Sequence, residues 1–160
     1  MRNQIFFCFI IALLFSCKGD GVKSDFVDLD LMSYGMPIKI KSPTDPVISK
    51  DDLGIVKEVT VKKGDGFYIQ ILSGKSYIRD IHKLVAQQKS DASESKYFSK
   101  IIEETDNGFI FEKKYPELDD RITYDFRYIK IQGDNQFTFQ AGLMGQYTLD
   151  EIKAMFTAVQ

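Results

Sequence analysis

Three short turn sequences constrain this chain more than any other feature: Lys63-Gly64-Asp65-Gly66, Asp106-Asn107-Gly108 and Gly133-Asp134-Asn135. Each lies between runs in which apolar and polar residues alternate. Gly, Asn and Asp tolerate the positive φ of tight hairpin turns, and Asn-Gly between alternating runs is the strongest short-range hairpin signal. Alternation with period 2 puts one face of each run against a core. Connections this short join antiparallel neighbours only, because a parallel crossover needs a dozen or more residues.

The flanking runs place the elements. Ile38 and Ile40 alternate with Lys39 and Lys41 in a first strand ended by Ser42-Pro43, and Pro43 and Pro46 bracket a turn. Ile55, Val59 and Val61 share a face of a second strand, with Lys57 breaking the row, and Phe67, Ile69 and Ile71 face inward on its return. Ser76 is a plausible N-cap for a helix whose apolar face is Ile78, Ile81, Leu84 and Val85, ending within Ser90–Ser95. The next hairpin joins Phe98–Glu104 to Phe109–Tyr115, and the loop Tyr115–Asp120 leads to a third. There Ile122, Tyr124, Phe126 and Tyr128 share one face, while Phe137 and Phe139 return. A capping box, Thr148-Leu149-Asp150-Glu151, starts the last helix; Tyr147 and Ile152 are spaced as a hydrophobic staple. Its stripe is Leu149, Ile152, Met155, Phe156 and Val159. The order βββαββββα predicts an α+β class, a single mostly antiparallel β-sheet of about six or seven strands flanked by two helices.

That order, with the closing Phe137-Thr138-Phe139-Gln140 strand and the capped helix Thr148–Val159, resembles the PsbP-like family over roughly Pro37 to Gln160. The family's fold is shared by a Ran-binding nuclear import factor and by several bacterial lipoproteins and secretion chaperones. The resemblance implies a domain that binds proteins rather than one that catalyses a reaction. It matches no signature motif, so no site residue is carried over. A cystatin-like or nuclear-transport-factor-like arrangement of sheet and helix fits the same order.

The amino terminus carries an address. Arg2 precedes an uncharged run, Ile5–Phe15, then Ser16 and Cys17, after which Lys18-Gly19-Asp20-Gly21 ends the apolar character. Eleven residues are too few to span a bilayer, which takes ~20, but they suit the apolar core of a secretory signal. The arrangement resembles the signal peptide and lipobox of a bacterial lipoprotein. The resemblance implies cleavage before Cys17, a lipidated Cys17 sulfur with a further acyl chain such as palmitate on the freed amine, and anchorage in the lipid bilayer outside the cytoplasm. The cell envelope is then the location, at the outer membrane, its periplasmic face or the cell surface. Two acyl chains hold where one does not. The chain then divides into a signal peptide (1–16), the lipidated cysteine with a flexible tether (17–33) and a single domain (34–160). Asp20, Asp25, Asp28 and Asp30 space negative charge along that tether.

Composition excludes some functions. Removing residues 1–16 takes away only Arg2 among charged groups, leaving 20 basic against 23 acidic side chains, a formal charge of −3. That balance, without a basic stripe, does not suit nucleic-acid binding. Cys8 leaves with the signal, so Cys17 is the only remaining cysteine and no internal disulfide forms. The domain must hold by packing alone.

Chemistry-bearing motifs are sparse. Gly74-Lys75-Ser76 resembles the end of a phosphate-binding loop, but Ile69 stands where that loop needs its first glycine. His82 is the only histidine and sits at the edge of a helix stripe, so neither a triad nor a zinc site assembles around it. No metal site and no cofactor are expected. Adjacent carboxylates Asp51-Asp52, Glu103-Glu104 and Asp119-Asp120 remain, but neighbours on a strand point to opposite faces.

The third hairpin is the exception. Tyr124, Phe126 and Tyr128 line one face, while Ile129 and Ile131 take over the other. One arrangement is a sheet buried on both faces between two helices. The other is an exposed aromatic patch for a partner, with Tyr124, Phe126 and Tyr128 as its contact residues. The expected function is thus a membrane-anchored, non-catalytic lipoprotein whose domain binds a protein or stabilises an envelope complex. Two alternatives stand beside it. A small carboxylate-dependent hydrolase would bring together two of Asp51, Asp119, Asp120, Glu103 and Glu112; a toxin-neutralising immunity lipoprotein would fit the size and the anchor.

Overall fold

The computed structural model describes residues 25–52 and 54–160, so Cys17 and the signal-like run lie outside the described residues. Nine strands and two helices follow. The first pair, β1 (Phe26–Asp30) and β2 (Lys39–Pro43), forms a small antiparallel sheet from Phe26↔Pro43 to Asp30↔Lys39. Between them a single 3-10 turn, Met32–Tyr34, closes on Gly35 at φ 83°, a left-handed conformation suited to glycine. Leu31 and Met36 are thereby turned fully into the core. This corrects the tether expected over 17–33, because ordered structure reaches back to Phe26. Phe26, Leu29 and Leu31 supply the apolar spacing, and Phe26 meets Phe67 edge to face at 5.6 Å.

The other seven strands form one antiparallel sheet: β3 (Val47–Asp52), β4 (Lys57–Lys63), β5 (Phe67–Lys75), β6 (Phe98–Thr105), β7 (Gly108–Tyr115), β8 (Arg121–Gln132) and β9 (Asn135–Ala141). Their order across the sheet is β3-β4-β5-β9-β8-β7-β6. Helix α1 (Ile81–Ser93) crosses over between β5 and β6, and α2 (Leu149–Val159) closes the chain. The α+β class with two helices and a large antiparallel sheet agrees with the sequence reading, but five strands rather than three precede α1. The additions are β1 and β3. Strand β3 (Val-Ile-Ser-Lys-Asp-Asp) is an edge with one half-buried apolar residue, Ile48, so alternation barely marks it. Ile55, expected inward, lies in the turn before β4 and is exposed.

One sheet face carries the main core. Val59, Val61, Ile69, Ile71, Phe137, Phe139, Phe126 and Tyr128 pack with Ile152, Met155, Phe156 and Val159 of α2 and with the β1–β2 sheet. On the other face α1 sets Leu84, Val85 and Ala92 on Phe109, Phe111 and Ile129. Each buried large side chain contributes about 1.5–3 kcal/mol. Helix α2 begins as its sequence requires, with Thr148 and Glu151 completing the reciprocal cap. Helix α1 begins later than expected. Its N-cap is Asp80, whose Oδ1 accepts the N–H of His82 at 3.1 Å and of Lys83 at 3.3 Å. β5 stays paired with β9 through Lys75↔Asn135, so Ser76–Arg79 is an extended link and Ile78 falls outside the helix.

Candidate functional site

The three aromatics proposed for partner contact part company. Phe126 and Tyr128 are buried under α2: their rings meet Phe156 at 5.9 and 5.8 Å, and Tyr128 meets Phe139 at 5.9 Å. They are core residues, which corrects the expectation of an exposed patch. The amphipathic stripe of α2 needed an apolar seat, and this face of β8 supplies it. Only Tyr124 stays half-exposed.

Around Tyr124 an apolar surface remains. A shallow groove is lined by Ile122, Tyr124, Tyr147 and Leu149 among others. The N–H of Tyr124 donates to the Tyr147 carbonyl at 3.1 Å, and Arg121 Nη1 donates to Gln146 Oε1 at 2.9 Å, so the β9–α2 loop is held at the start of β8. That loop turns tightly, Gly145 N–H donating to the Gly142 carbonyl at 3.1 Å. Gly142 lies flat on the Tyr68 ring and Gly145 on Tyr147, closer than any Cβ would allow. The turn therefore holds Leu143 and Met144 outward, 71 % and 94 % exposed. Burial, helped by the negative charge of Asp125, raises the Tyr147 hydroxyl to a pKa of about 12. Sequence reasoning missed Leu143 and Met144 because a glycine-flanked loop carries no periodicity.

The second surface is polar. Helix α1 lies over β8 and β6, leaving the β3-β4-β5-β9 half of its sheet face without a helix. Strand pairing aligns Ser49, Thr60, Gln70, Gln140 and Arg127 in one row across five strands. The next row is Asp51, Glu58, Leu72 and Thr138. Gln140 Nε2 donates to Gln70 Oε1 at 2.6 Å and Gln70 Nε2 to Glu58 Oε1 at 2.8 Å; the Ser49 and Thr60 hydroxyls are 2.6 Å apart. Where this surface meets α1, a hollow is lined by Lys75, Tyr77, Ile78, Leu84, Gln87, Gln88 and Gln136.

Beside the row sits Asp125, buried and saturated with donors. Its Oδ1 accepts the N–H of Phe126 at 2.8 Å, of Ala141 at 3.3 Å, and Arg127 Nη1 at 3.1 Å; its Oδ2 takes Lys113 Nζ at 3.2 Å. A carboxylate so fully occupied organises structure. Thr123, two residues earlier on the same face, has a buried Oγ1 with no protein hydrogen-bond partner.

The acidic candidates do not converge. Asp51 is on the β3 edge, Asp119 and Asp120 are in the exposed loop before β8, Glu103 pairs with Lys153 at 3.8 Å, and Glu112 is buried against Ser99 and Lys100. His82 is exposed beside the Lys89–Glu104 ion pair, which spans 2.8 Å. Gly74 and Lys75 belong to β5, and the Ser76 hydroxyl donates to the Ile78 carbonyl at 2.6 Å, so no phosphate cradle forms there. Among the described residues no group of three or more His, Cys, Asp or Glu is placed to hold a metal ion. Among them, too, no helix is long and apolar enough to cross a membrane. Comparison with protein-family models, with curated proteins and with solved structures gave no match.

Proposed function

We propose that this chain is an exported lipoprotein, anchored through acylated Cys17 in the cell envelope, whose α+β domain binds a protein partner without catalysis. The observation that carries the reading is the outward pair Leu143-Met144 beside the Ile122–Tyr124–Leu149 groove. Folding buries neither side chain, yet two glycines packed on Tyr68 and Tyr147 fix the turn that presents them. Clustered exposed apolar residues on a rigid support are what an interface requires. The PsbP-like resemblance points the same way, towards protein binding. The first strand begins at Phe26, nine residues after Cys17, a length of chain that reaches at most ~30 Å. An acylated Cys17 would therefore keep this surface close to the bilayer, where an envelope complex would be met.

A photo-crosslinker placed at position 143 or 144 in cells tests the reading. The expected result is one discrete adduct, lost when Tyr124 is replaced by Ala in the same chain. A crosslinker that yields no adduct, or a diffuse smear that Tyr124→Ala leaves unchanged, contradicts it.

A further inference from the structure

A cavity of about 440 Å³ opens where the start of β1, the end of β2 and the β4–β5 hairpin meet the first turns of α2. Neither Leu143 nor Met144 lines it, so it is separate from the surface assigned to a protein partner. We propose that this cavity binds a small organic cation, an aromatic or aliphatic body carrying one ammonium group. Its size is within the range of small-molecule sites, roughly 300–1,000 Å³.

The apolar part of the lining is Phe26, Pro43, Phe67 and Ala154. The two rings meet edge to face with centroids 5.6 Å apart. Folding buries Phe67 and Pro43 but leaves Phe26 half-buried and Ala154 exposed, so an apolar body seated here would take further apolar surface out of water. Among the described residues, cations lie over Tyr68, Tyr97 and Phe111, and over neither Phe26 nor Phe67. An ammonium within about 6 Å of an aromatic ring is attracted to its face. Opposite walls of the cavity approach closely: a Cβ on Gly66 would stand 2.6 Å from Glu151 Oε1. Glycine at 66 therefore lets the β4–β5 turn close on the first turn of α2.

Charge sets the sign of the ligand. Four charged residues line the cavity, Lys63, Asp65, Asp150 and Glu151, and none of them is in an ion pair among the described residues. Lys63 Nζ donates to the Asp45 carbonyl at 2.9 Å, and Glu151 Oε2 accepts the N–H and the hydroxyl of Thr148 at 2.8 and 2.9 Å. Those partners are neutral, so both charges persist. The N-terminus of α2 adds about half a positive charge, and the three carboxylates still outweigh it together with Lys63. Their field reaches the neighbouring Tyr147 hydroxyl, which burial raises most and Asp125, Tyr68, Glu151 and Asp65 raise further. An anion is repelled here, and a neutral apolar molecule gains nothing from the rim. Apolar wall and acidic rim together select an amphiphilic cation.

The test titrates the full-length mature protein, in mild detergent, with three probes of one shape and different charge: phenethylamine, phenethyl alcohol and hydrocinnamate. N-acetyl-argininamide is the fourth probe, a stand-in for a protein side chain, and backbone amide shifts are followed. Saturable binding of phenethylamine is expected, about tenfold tighter than the alcohol, with shifts centred on Phe26, Gly64, Gly66 and Ala154. Hydrocinnamate should not saturate. Asp65→Asn/Asp150→Asn should weaken the amine about tenfold and leave the alcohol unchanged, since each exposed charge pair contributes a few-fold. Both aspartates are exposed, as is Ala154, so these variants keep their fold. Ala154→Leu fills the cavity and should weaken amine and alcohol alike. Failure of phenethylamine to saturate overturns the proposal, as does equal or tighter binding of the alcohol or the carboxylate. Tighter binding of N-acetyl-argininamide would assign the cavity to a protein side chain and overturn it too. So would amine affinity that neither Asp65→Asn/Asp150→Asn nor Ala154→Leu alters.

Discussion

Asp125 accepts the backbone N–H of Ala141 at 3.3 Å, one position beyond the last ladder pair of β8 with β9, Arg127↔Gln140. The side chain thus takes over where the backbone ladder stops, at the point where β9 leaves β8 for the Gly142–Gly145 turn. The same carboxylate neutralises Arg127 and Lys113, whose side chains are only 17 % and 19 % exposed. Asp125→Ala strands two cations and two N–H groups. It should cost about 3 kcal/mol, at the low end for breaking a buried pair because the cations retain some water. Asp125→Asn keeps an acceptor for the N–H groups and should cost clearly less. Denaturant unfolding measures both; equal costs would mean that charge, and not the acceptor, is what matters.

Tyr147 sets an alkaline limit. Its pKa is about 12 in the fold against 10.0 for the free group, so the neutral form is favoured by the native state. The stabilisation is complete below pH 10 and disappears as pH rises through 12, a loss of at most about 3 kcal/mol. Tyr147→Phe should lose less stability than the parent between pH 10 and 12. At pH 7 the two should lie within about 1 kcal/mol, because the hydroxyl bond to the Gly142 carbonyl is long at 3.4 Å. Parallel pH–stability curves for the two proteins would count against this.

Gly108 is required for a reason its Asn-Gly context does not suggest. The motif predicts positive φ, yet neither Asn107 nor Gly108 is left-handed. A Cβ at Gly108 would instead sit 2.8 Å from the Tyr128 Cα across the ladder, against backbone that cannot swing aside. Gly108→Ala should cost about 3 kcal/mol. Gly133→Ala, at φ +60° in open space, should cost about 1 kcal/mol. A reversed ranking in thermal unfolding would refute the distinction.

Thr123 offers a gain. Its buried Oγ1 lacks a protein partner, and valine replaces the hydroxyl with a methyl of similar shape. Thr123→Val should raise stability by about 1 kcal/mol. A loss of that size would show that the hydroxyl is satisfied in solution.

How far the sequence could be read follows from which signals are local. The hairpins at 63–66, 106–108 and 133–135 and the Thr148/Glu151 cap rest on neighbouring residues, and they stand where expected. β1 and β3 did not announce themselves, since each becomes regular only by pairing with a later strand, Phe26 with Pro43 and Val47 with Lys62. Ser76 lost the helix start to Asp80 because β5 runs longer than its apolar residues imply. The exposed reading of Phe126 and Tyr128 failed for a tertiary reason: strand periodicity shows that a face is apolar, not which helix covers it. The polar face was illegible for the same reason, since Ser49, Thr60, Gln70 and Gln140 line up only when the strands are paired.

Mass spectrometry of the protein purified from native membranes tests whether Cys17 is the anchor. The expected species begins at Cys17 and carries a diacylglycerol thioether, together with an amide-linked acyl chain on its amino group. A chain that retains Met1 and a free Cys17 thiol would contradict it.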